Sequence, residues 1–341
     1  MKPTSVTGGS GERPYLTFLL PCYNESAVLP ETYRRVQAVA DALAKRCEIV
    51  LVNDGSTDDT LAQMLQFAQR DPALVIVNLS RNHGHQLALS AGLHYCSGER
   101  VLILDADLQD PPELLPQMLT VMEEQGADVV YAQRRSRSGD AWPKRLACAV
   151  FYRVLSRLSE TPIPLDSGDF RLISRRVLEL LLQMPERHRF IRGMVSWVGF
   201  RQVPFAYDRD KRFAGTTKYP FGRLLRLALD GVVASSTRPL ALASYAGLLF
   251  ASAGFILIAY ALYSWWKVGQ TPQGWTSLMI VITILGSVQL FVLGILGQYL
   301  GRIHEQTRAR PLFMVEGVYR SGKRELEPKP LFGPPAEESA H

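Results

Sequence analysis

The chain reads as an α/β domain built on a mostly parallel sheet, followed by two apolar helices long enough to cross a bilayer. Three observations predict this. Short, near-continuous apolar runs alternate with amphipathic segments over roughly the first 130 residues. Acidic residues follow three of those runs closely, at Glu25, Asp54 and Asp105, where a parallel sheet gathers its ligand-binding strand ends. Charged residues are dense up to about Arg238, absent from 241–266 and 275–300, and return at Arg302.

Residues 1–14 are polar and Gly-rich without an apolar core, and are expected to form a flexible lead-in rather than a signal peptide. The α/β domain is expected over 15–220. YLTFLL (15–20), EIVLVN (48–53), ALVIVNL (73–79), RVLILDA (100–106) and ADVVYA (127–132) suit strands buried on both faces. Helices are expected between them at 26–46, 58–70, 85–95 and 112–125, giving a βαβ alternation. Ser56 or Thr57 is placed to cap the second helix, and Asp110 with Glu113 forms a capping box at the fourth. Residues 142–158 set Leu146, Val150, Val154 and Leu158 on one stripe beside Lys144, Arg145, Arg153 and Arg157. A helix packed on the sheet and a helix lying on anionic headgroups both fit that pattern. The same choice arises over 221–240, where the adjoining apolar span favours a juxtamembrane amphipathic segment.

Residues 241–266 and 275–300 contain no Asp, Glu, Lys or Arg, and each exceeds the roughly 20 residues a spanning helix needs. Trp265, Trp266 and Trp275 sit at the ends joined by a short loop with Lys267 as its one charge, while Arg223, Arg226, Arg238, Arg302, Arg308 and Arg310 flank the outer ends. The positive-inside rule then places both termini and the α/β domain in the cytoplasm, in a multi-pass protein of the inner membrane. Residues 301–341 are expected to be a cytoplasmic tail, Pro- and Glu-rich at its end. Net charge is +6, with arginines clustered near the apolar stretches, which favours an anionic membrane or a phosphate-bearing substrate over nucleic acid. The four cysteines, Cys22, Cys47, Cys96 and Cys148, show no paired spacing and read as small buried residues in a reducing compartment.

The strongest chemical signal is Asp105-Ala106-Asp107-Leu108-Gln109, directly after an apolar run. Two acids two apart, with an amide two further on, offer hard oxygen ligands to Mg²⁺ or Mn²⁺, which neutralises a departing diphosphate. A solvated turn is the plain alternative. Asp54 is able to hydrogen-bond a base or ribose, although a turn over Asn53-Asp54-Gly55-Ser56 explains those residues equally well. Pro21, Cys22, Tyr23, Asn24 and Glu25 bring polar groups to the same sheet edge. No GxGxxG follows the first strand and no phosphate-binding P-loop is present, which disfavours a dinucleotide-binding dehydrogenase. His83 and His85 flank Gly84, and a turn with a helix start accounts for them better than a metal pair.

Taken in order, PCYNES (21–26), VNDGSTDDT (52–60), SRNHGHQLALSAGL (80–93), DADLQDPPE (105–113), DSGDFRLISR (166–175) and RFAGTTKYP (212–220) resemble the inverting family-two glycosyltransferases of GT-A fold. The likeness is strongest to the dolichol-phosphate mannose synthase and bactoprenol glucosyltransferase group and spans residues 15–305. It implies that Asp54, Pro21, Tyr23, Glu25 and Arg81 meet the nucleotide-sugar together with Asp105, Ala106 and Asp107. It implies that Asp105, Asp107 and Gln109 serve the metal and diphosphate, and that Arg134, Arg209, Arg212 and Lys218 meet donor or lipid phosphates. His83 departs from the pattern, since relatives often carry an aromatic residue there.

The resemblance further implies transfer of a hexose from a nucleotide-sugar to polyprenyl phosphate, with UDP-glucose and undecaprenyl phosphate favoured and GDP-mannose the alternative. A lipid phosphate is already anionic near neutral pH, so no strong base is obligatory, and Asp166 or Asp169 is expected to orient the nucleophile or stabilise developing positive charge. A processive polysaccharide synthase is disfavoured because RFIRGMVSW (189–197) does not match its acceptor motif; an inactive scaffold is disfavoured by retention of the aspartates. Glycines 247, 254, 294, 297 and 301 permit close helix approach in a homo-oligomer, a tetramer among the options, and a downstream flippase or glycosyltransferase is an expected partner. The basic segment around Gly215 is expected to close over phosphates. Arg212→Ala or Lys218→Ala should lower turnover more than about tenfold, roughly 1.4 kcal/mol of transition-state stabilisation; a near-wild-type rate would remove the closing segment from the mechanism.

Overall fold

The computed structural model describes residues 13–134, 167–187, 189–208, 274–308 and 310–325, with scattered positions between 245 and 267. The expected amphipathic segments at 142–158 and 221–240 lie outside the described residues. Among the described residues nine strands form one sheet: β1 (Leu16–Cys22), β2 (Cys47–Asn53), β3 (Leu74–Leu79), β4 (Arg100–Ile103), β5 (Val129–Arg134), β6 (Ser167–Ser174), β7 (Gln202–Tyr207), β8 (Val315–Arg320) and β9 (Lys323–Glu325). Their order is β7-β5-β6-β4-β1-β2-β3-β8-β9. The stretch β4-β1-β2-β3 is parallel, β6 runs antiparallel between β4 and β5, and β8 runs antiparallel along β3. The domain is therefore a mixed α/β sheet.

Helices cover both faces, which is why the central strands read as unbroken apolar runs instead of alternating. Phe18, Leu20, Leu51 and Ile76 pack with α1 (Leu29–Ala42), α2 (Thr60–Ala68) and α4 (Leu115–Glu124). Leu19, Val50, Val52 and Val77 pack with α3 (His85–Tyr95), α5 (Arg175–Gln183) and α6 (Ile191–Val198). Gly92 lets α3 approach closely, because a methyl group there would collide with Leu19 and press on Val52.

Two expected caps are corrected. Asp58 Oδ1, not Ser56 or Thr57, accepts the Thr60 amide at the start of α2, and the other two residues bind Asn24. At the fourth helix a short 3₁₀ turn begins at Pro112, no side chain caps it, and Glu113 pairs with Arg35 at 2.6 Å. Asp110 instead accepts from the Tyr207 hydroxyl. A buried hydroxyl and a guanidinium displace the backbone amides as partners.

The C-terminal region also differs from the expected tail over 301–341. A helix, α7 (Trp275–Thr307), continues past 300, and the chain then supplies β8 and β9 to the sheet. Among the described residues α7 is the one helix long and apolar enough to cross a membrane, over Ile284–Thr307 with mean hydropathy 1.6. The described positions between 245 and 267 are helical, and where two spans are expected one candidate span is found among the described residues. The molecule falls into two compact units, one holding β1–β9 with α1–α6 and the other α7.

At the amino ends of the strands, buried Glu48 accepts from Thr17 Oγ1 at 2.8 Å and from Ser97 Oγ and N at 2.8 and 2.9 Å. That carboxylate joins three segments far apart in sequence. Glu48→Ala leaves buried donors unpaired and should cost about 2 kcal/mol, read as a lower melting temperature of the detergent-solubilised chain.

Candidate active site

The carboxyl ends of the parallel strands line up by register, with Cys22 opposite Asn53 and Asn53 opposite Asn78. Asp54 follows β2 and its amide donates to Cys22 O at 2.9 Å. Its carboxylate is buried and accepts from the His83 amide at 2.7 Å and the Gly84 amide at 2.9 Å. Burial raises its pKa, and the two amide bonds oppose that rise without cancelling it. Gly55 sits at φ +63°, and a Cβ there would collide with the backbone of Arg81 and Asn82. The β2 end and the 80–85 loop thus touch backbone to backbone, which fits a glycine alone.

The acidic turn follows β4. Leu104 N donates to Leu19 O, Ala106 O accepts from Thr32 Oγ1 at 2.8 Å, and Asp107 Oδ1 accepts from the Gln109 amide at 3.2 Å. Leu108 is held at φ +59°, a conformation a branched side chain resists, and the buried Leu108 and Asp110 side chains anchor the turn against that strain. Asp105 thereby lies beside His85, Asp107 closes the turn, and Asp110 is folded inward onto Tyr207.

Asp169, on β6, gathers the remaining groups. Its carboxylate is 4% exposed and accepts from Arg192 Nε at 2.7 Å and Gln86 Nε2 at 3.1 Å. His85 Nε2 lies 3.0 Å from Asp169 and 3.6 Å from Asp105 Oδ1. Gln86 Oε1 in turn accepts the Ile191 amide at 3.0 Å, so one carboxamide ties α3 to the start of α6. Burial would raise the Asp169 pKa, but hydrogen bonds from His85 and Arg192 hold it far below the carboxylate range. Such a group is a poor proton acceptor at neutral pH. Burial would lower His85, yet its bond to Asp169 and the charge of Asp105 raise it instead. Asp105 is pushed up to about 6 by burial and by the charges of Asp169, Asp110 and Asp107, against an opposing pull from His85.

Of the residues singled out in the sequence, Asp54, Asp105 and Asp169 are linked through the 81–86 segment, and Asp107 holds the turn that follows Asp105. Pro21 is buried at the end of β1, Tyr23 is 46% exposed just beyond it, and Glu25 receives the first amides of α1 on its carbonyl. Arg81 is exposed on the loop; Ala106 is buried between the two acids; Gln109 serves the turn through its amide. Arg134 ends β5, and nothing is described of its side chain. Asp166, Arg209, Arg212 and Lys218 lie outside the described residues. Sequence reasoning missed His85, Gln86 and Arg192 as site residues. His85 does begin a helix as expected, and only the fold brings it between two carboxylates.

A divalent cation fits this donor set. Asp105 is desolvated and crowded by like charge, a condition that a cation relieves. Among the described residues no three His, Cys, Asp or Glu side chains are grouped to hold an ion by themselves.

The Glycosyl transferase family 2 profile matches residues 17–182. The uncharacterized glycosyltransferase YkcC of Bacillus subtilis (strain 168) is 42% identical over 303 residues, covering 89% of this chain and 94% of that protein. The bactoprenol glucosyl transferase of Shigella phage SfII is 37% identical over 305 residues, covering 89% and 98%. Among solved structures, glucosyl-3-phosphoglycerate synthase from Mycobacterium tuberculosis in complex with Mn²⁺, UDP-glucose and phosphoglyceric acid is 19% identical, with a TM-score of 0.46 over 64% of this chain and 78% of that one.

A carboxylate raised from 3.8 to about 6 binds its proton more tightly in the folded than in the unfolded chain, so stability is lost as pH rises between those two values and the full cost stands above about 6. Asp105→Asn should therefore melt higher than wild type at pH 7.5 in the presence of a chelator, by about 1 kcal/mol after solvent screening. The gap should narrow as pH falls towards 5, and thermal melts across that range check it.

Proposed function

We propose, for a chain that belongs to glycosyl transferase family 2, that it transfers a hexose from a nucleotide-sugar to a polyprenyl phosphate. The observation that carries this reading is the connection of Asp54 to Asp105 through one loop: Asp54 holds the His83 and Gly84 amides, and the next residue, His85, faces Asp105 and Asp169. A nucleoside end at Asp54 and a diphosphate end at Asp105 are the right order for a donor laid across the strand ends.

In this reading Pro21, Tyr23, Glu25, Asp54 and Arg81 hold the nucleotide, while Asp105, Asp107 and Gln109 would hold Mg²⁺ or Mn²⁺. The ion would stabilise negative charge on the departing diphosphate. A lipid phosphate oxygen attacks the anomeric carbon, the bond to the diphosphate oxygen breaks, and configuration inverts. The nucleophile is already anionic, so the strongly acidic Asp169 is not required to take a proton. It fixes His85 and Arg192 in place, and its negative charge favours an oxocarbenium-like transition state. Asp166 orients the acceptor, and Arg134, Arg209, Arg212 and Lys218 receive phosphates.

The relatives named for bactoprenol glucosyl transfer favour glucose as the sugar and an undecaprenyl carrier as the acceptor, with α7 and the apolar stretch before it holding the enzyme at the membrane. The domain faces the cytoplasm, where nucleotide-sugars are made. The purified full chain should convert undecaprenyl phosphate with labelled UDP-glucose, lose that activity with a chelator, and regain it with Mn²⁺ or Mg²⁺. Transfer from GDP-mannose alone would reassign the donor. No transfer from any of a broad donor set would reject the reading.

A further inference from the structure

The strand that follows α7 is connected to the donor site by a directed chain of hydrogen bonds. Glu316, on β8, accepts from Asn78 Nδ2 at 2.9 Å. Asn78 Oδ1 accepts from Asn53 Nδ2 at 2.7 Å, and Asn53 Oδ1 accepts from the Ser56 amide at 3.2 Å. Ser56 Oγ then accepts from the Asn24 amide at 3.1 Å, and Asn24 Oδ1 accepts from the Thr57 amide at 2.8 Å. The path crosses β8, β3 and β2 and ends on the β1 loop between Tyr23 and Glu25. A second contact runs beside it, since Ser80 N donates to Met314 O at 3.0 Å and Met314 N reaches His83 Nε2 at 3.4 Å.

We propose that Glu316 is a positioning residue for nucleotide binding, acting through Asn78, Asn53 and Ser56 on the Tyr23–Glu25 loop; this rests on the nucleotide-sugar reading above. An ionised carboxylate only accepts, and a backbone amide only donates. With Glu316 at one end and the Ser56 amide at the other, both asparagine amides have one permitted orientation. Asn53 and Asn78 are 2% and 4% exposed, so a misplaced amide there has little water to turn to. The Asn24 backbone, at φ +55°, depends on its side-chain and amide bonds to residues 56 and 57 to hold that conformation. Loss of the acceptor at Glu316 frees the amides to flip and loosens the loop that precedes α1. A segment on the far side of the apolar helix, outside the matched 17–182 region, thus shapes the donor site.

The test uses the full chain in nanodiscs with UDP or GDP plus Mn²⁺ as probes, and donor and acceptor KM as readouts. Glu316→Ala should weaken nucleotide binding and raise donor KM threefold or more, with acceptor KM and kcat within twofold of wild type. Glu316→Gln, whose carbonyl still accepts from Asn78, should restore donor affinity. Ser56→Ala should show the same donor defect, and the double variant should be no worse than the poorer single one, because both break one chain. If Glu316→Ala does not fold, Glu316→Asp decides, since it keeps the charge but withdraws the oxygen. Donor affinity unchanged in the folded Glu316 variant, or defects that multiply in the double variant, overturns the relay alone. A wild-type chain that binds neither nucleotide overturns the donor-site reading and the relay with it.

Discussion

The site depends on a buried anion in the middle of the sheet. Asp169 stands on β6, the strand that runs against its neighbours, and it is nearly sealed from solvent. An isolated carboxylate there would be prohibitive, so it draws partners from two helices: His85 and Gln86 at the head of α3, and Arg192 in the first turn of α6. Those same partners define the wall of the site. The cost of one desolvated charge is converted into the placement of an imidazole, a carboxamide and a guanidinium.

Around that anchor the remaining acids are handled in contrasting ways. Asp54 and Asp110 turn inward: both oxygens of Asp54 accept loop amides and Asp110 Oδ1 accepts a tyrosine hydroxyl, which fixes the loops. Asp105 faces outward, close to His85 and crowded by other carboxylates. A rigid frame of satisfied acids therefore presents a destabilised one, the arrangement expected where charge must be received without rearrangement.

The parallel half of the domain was legible in the sequence because its strands are buried on both faces, and the runs from Leu16 to Leu79 have no polar alternation to confuse the reading. The acidic turn was legible because Asp105 follows a strand directly. Local chemistry misled where distant partners won: Asp110 and Glu113 spell a capping box, but Tyr207 and Arg35 claim them. His85 and Arg192 carry no local signal, since they lie far apart in the chain and meet only through β6. Val315–Arg320 carries the strand formers Val315, Val318 and Tyr319, but Glu316 and Gly317 interrupt them and no neighbouring βα alternation marks the segment as part of the sheet.

The antiparallel seam between β3 and β8 has a consequence for biosynthesis. Leu74–Leu79 is buried along its whole length, and its outer edge is matched by a segment some 240 residues later. Until residues 315–320 have left the ribosome, that edge stands open, an apolar ladder with unpaired amides and carbonyls. The nascent domain must therefore persist unfinished while the long apolar helix α7 is synthesised, and pairing of β8 closes the edge. Chaperone shielding of β3 during translation is the natural requirement of such a topology.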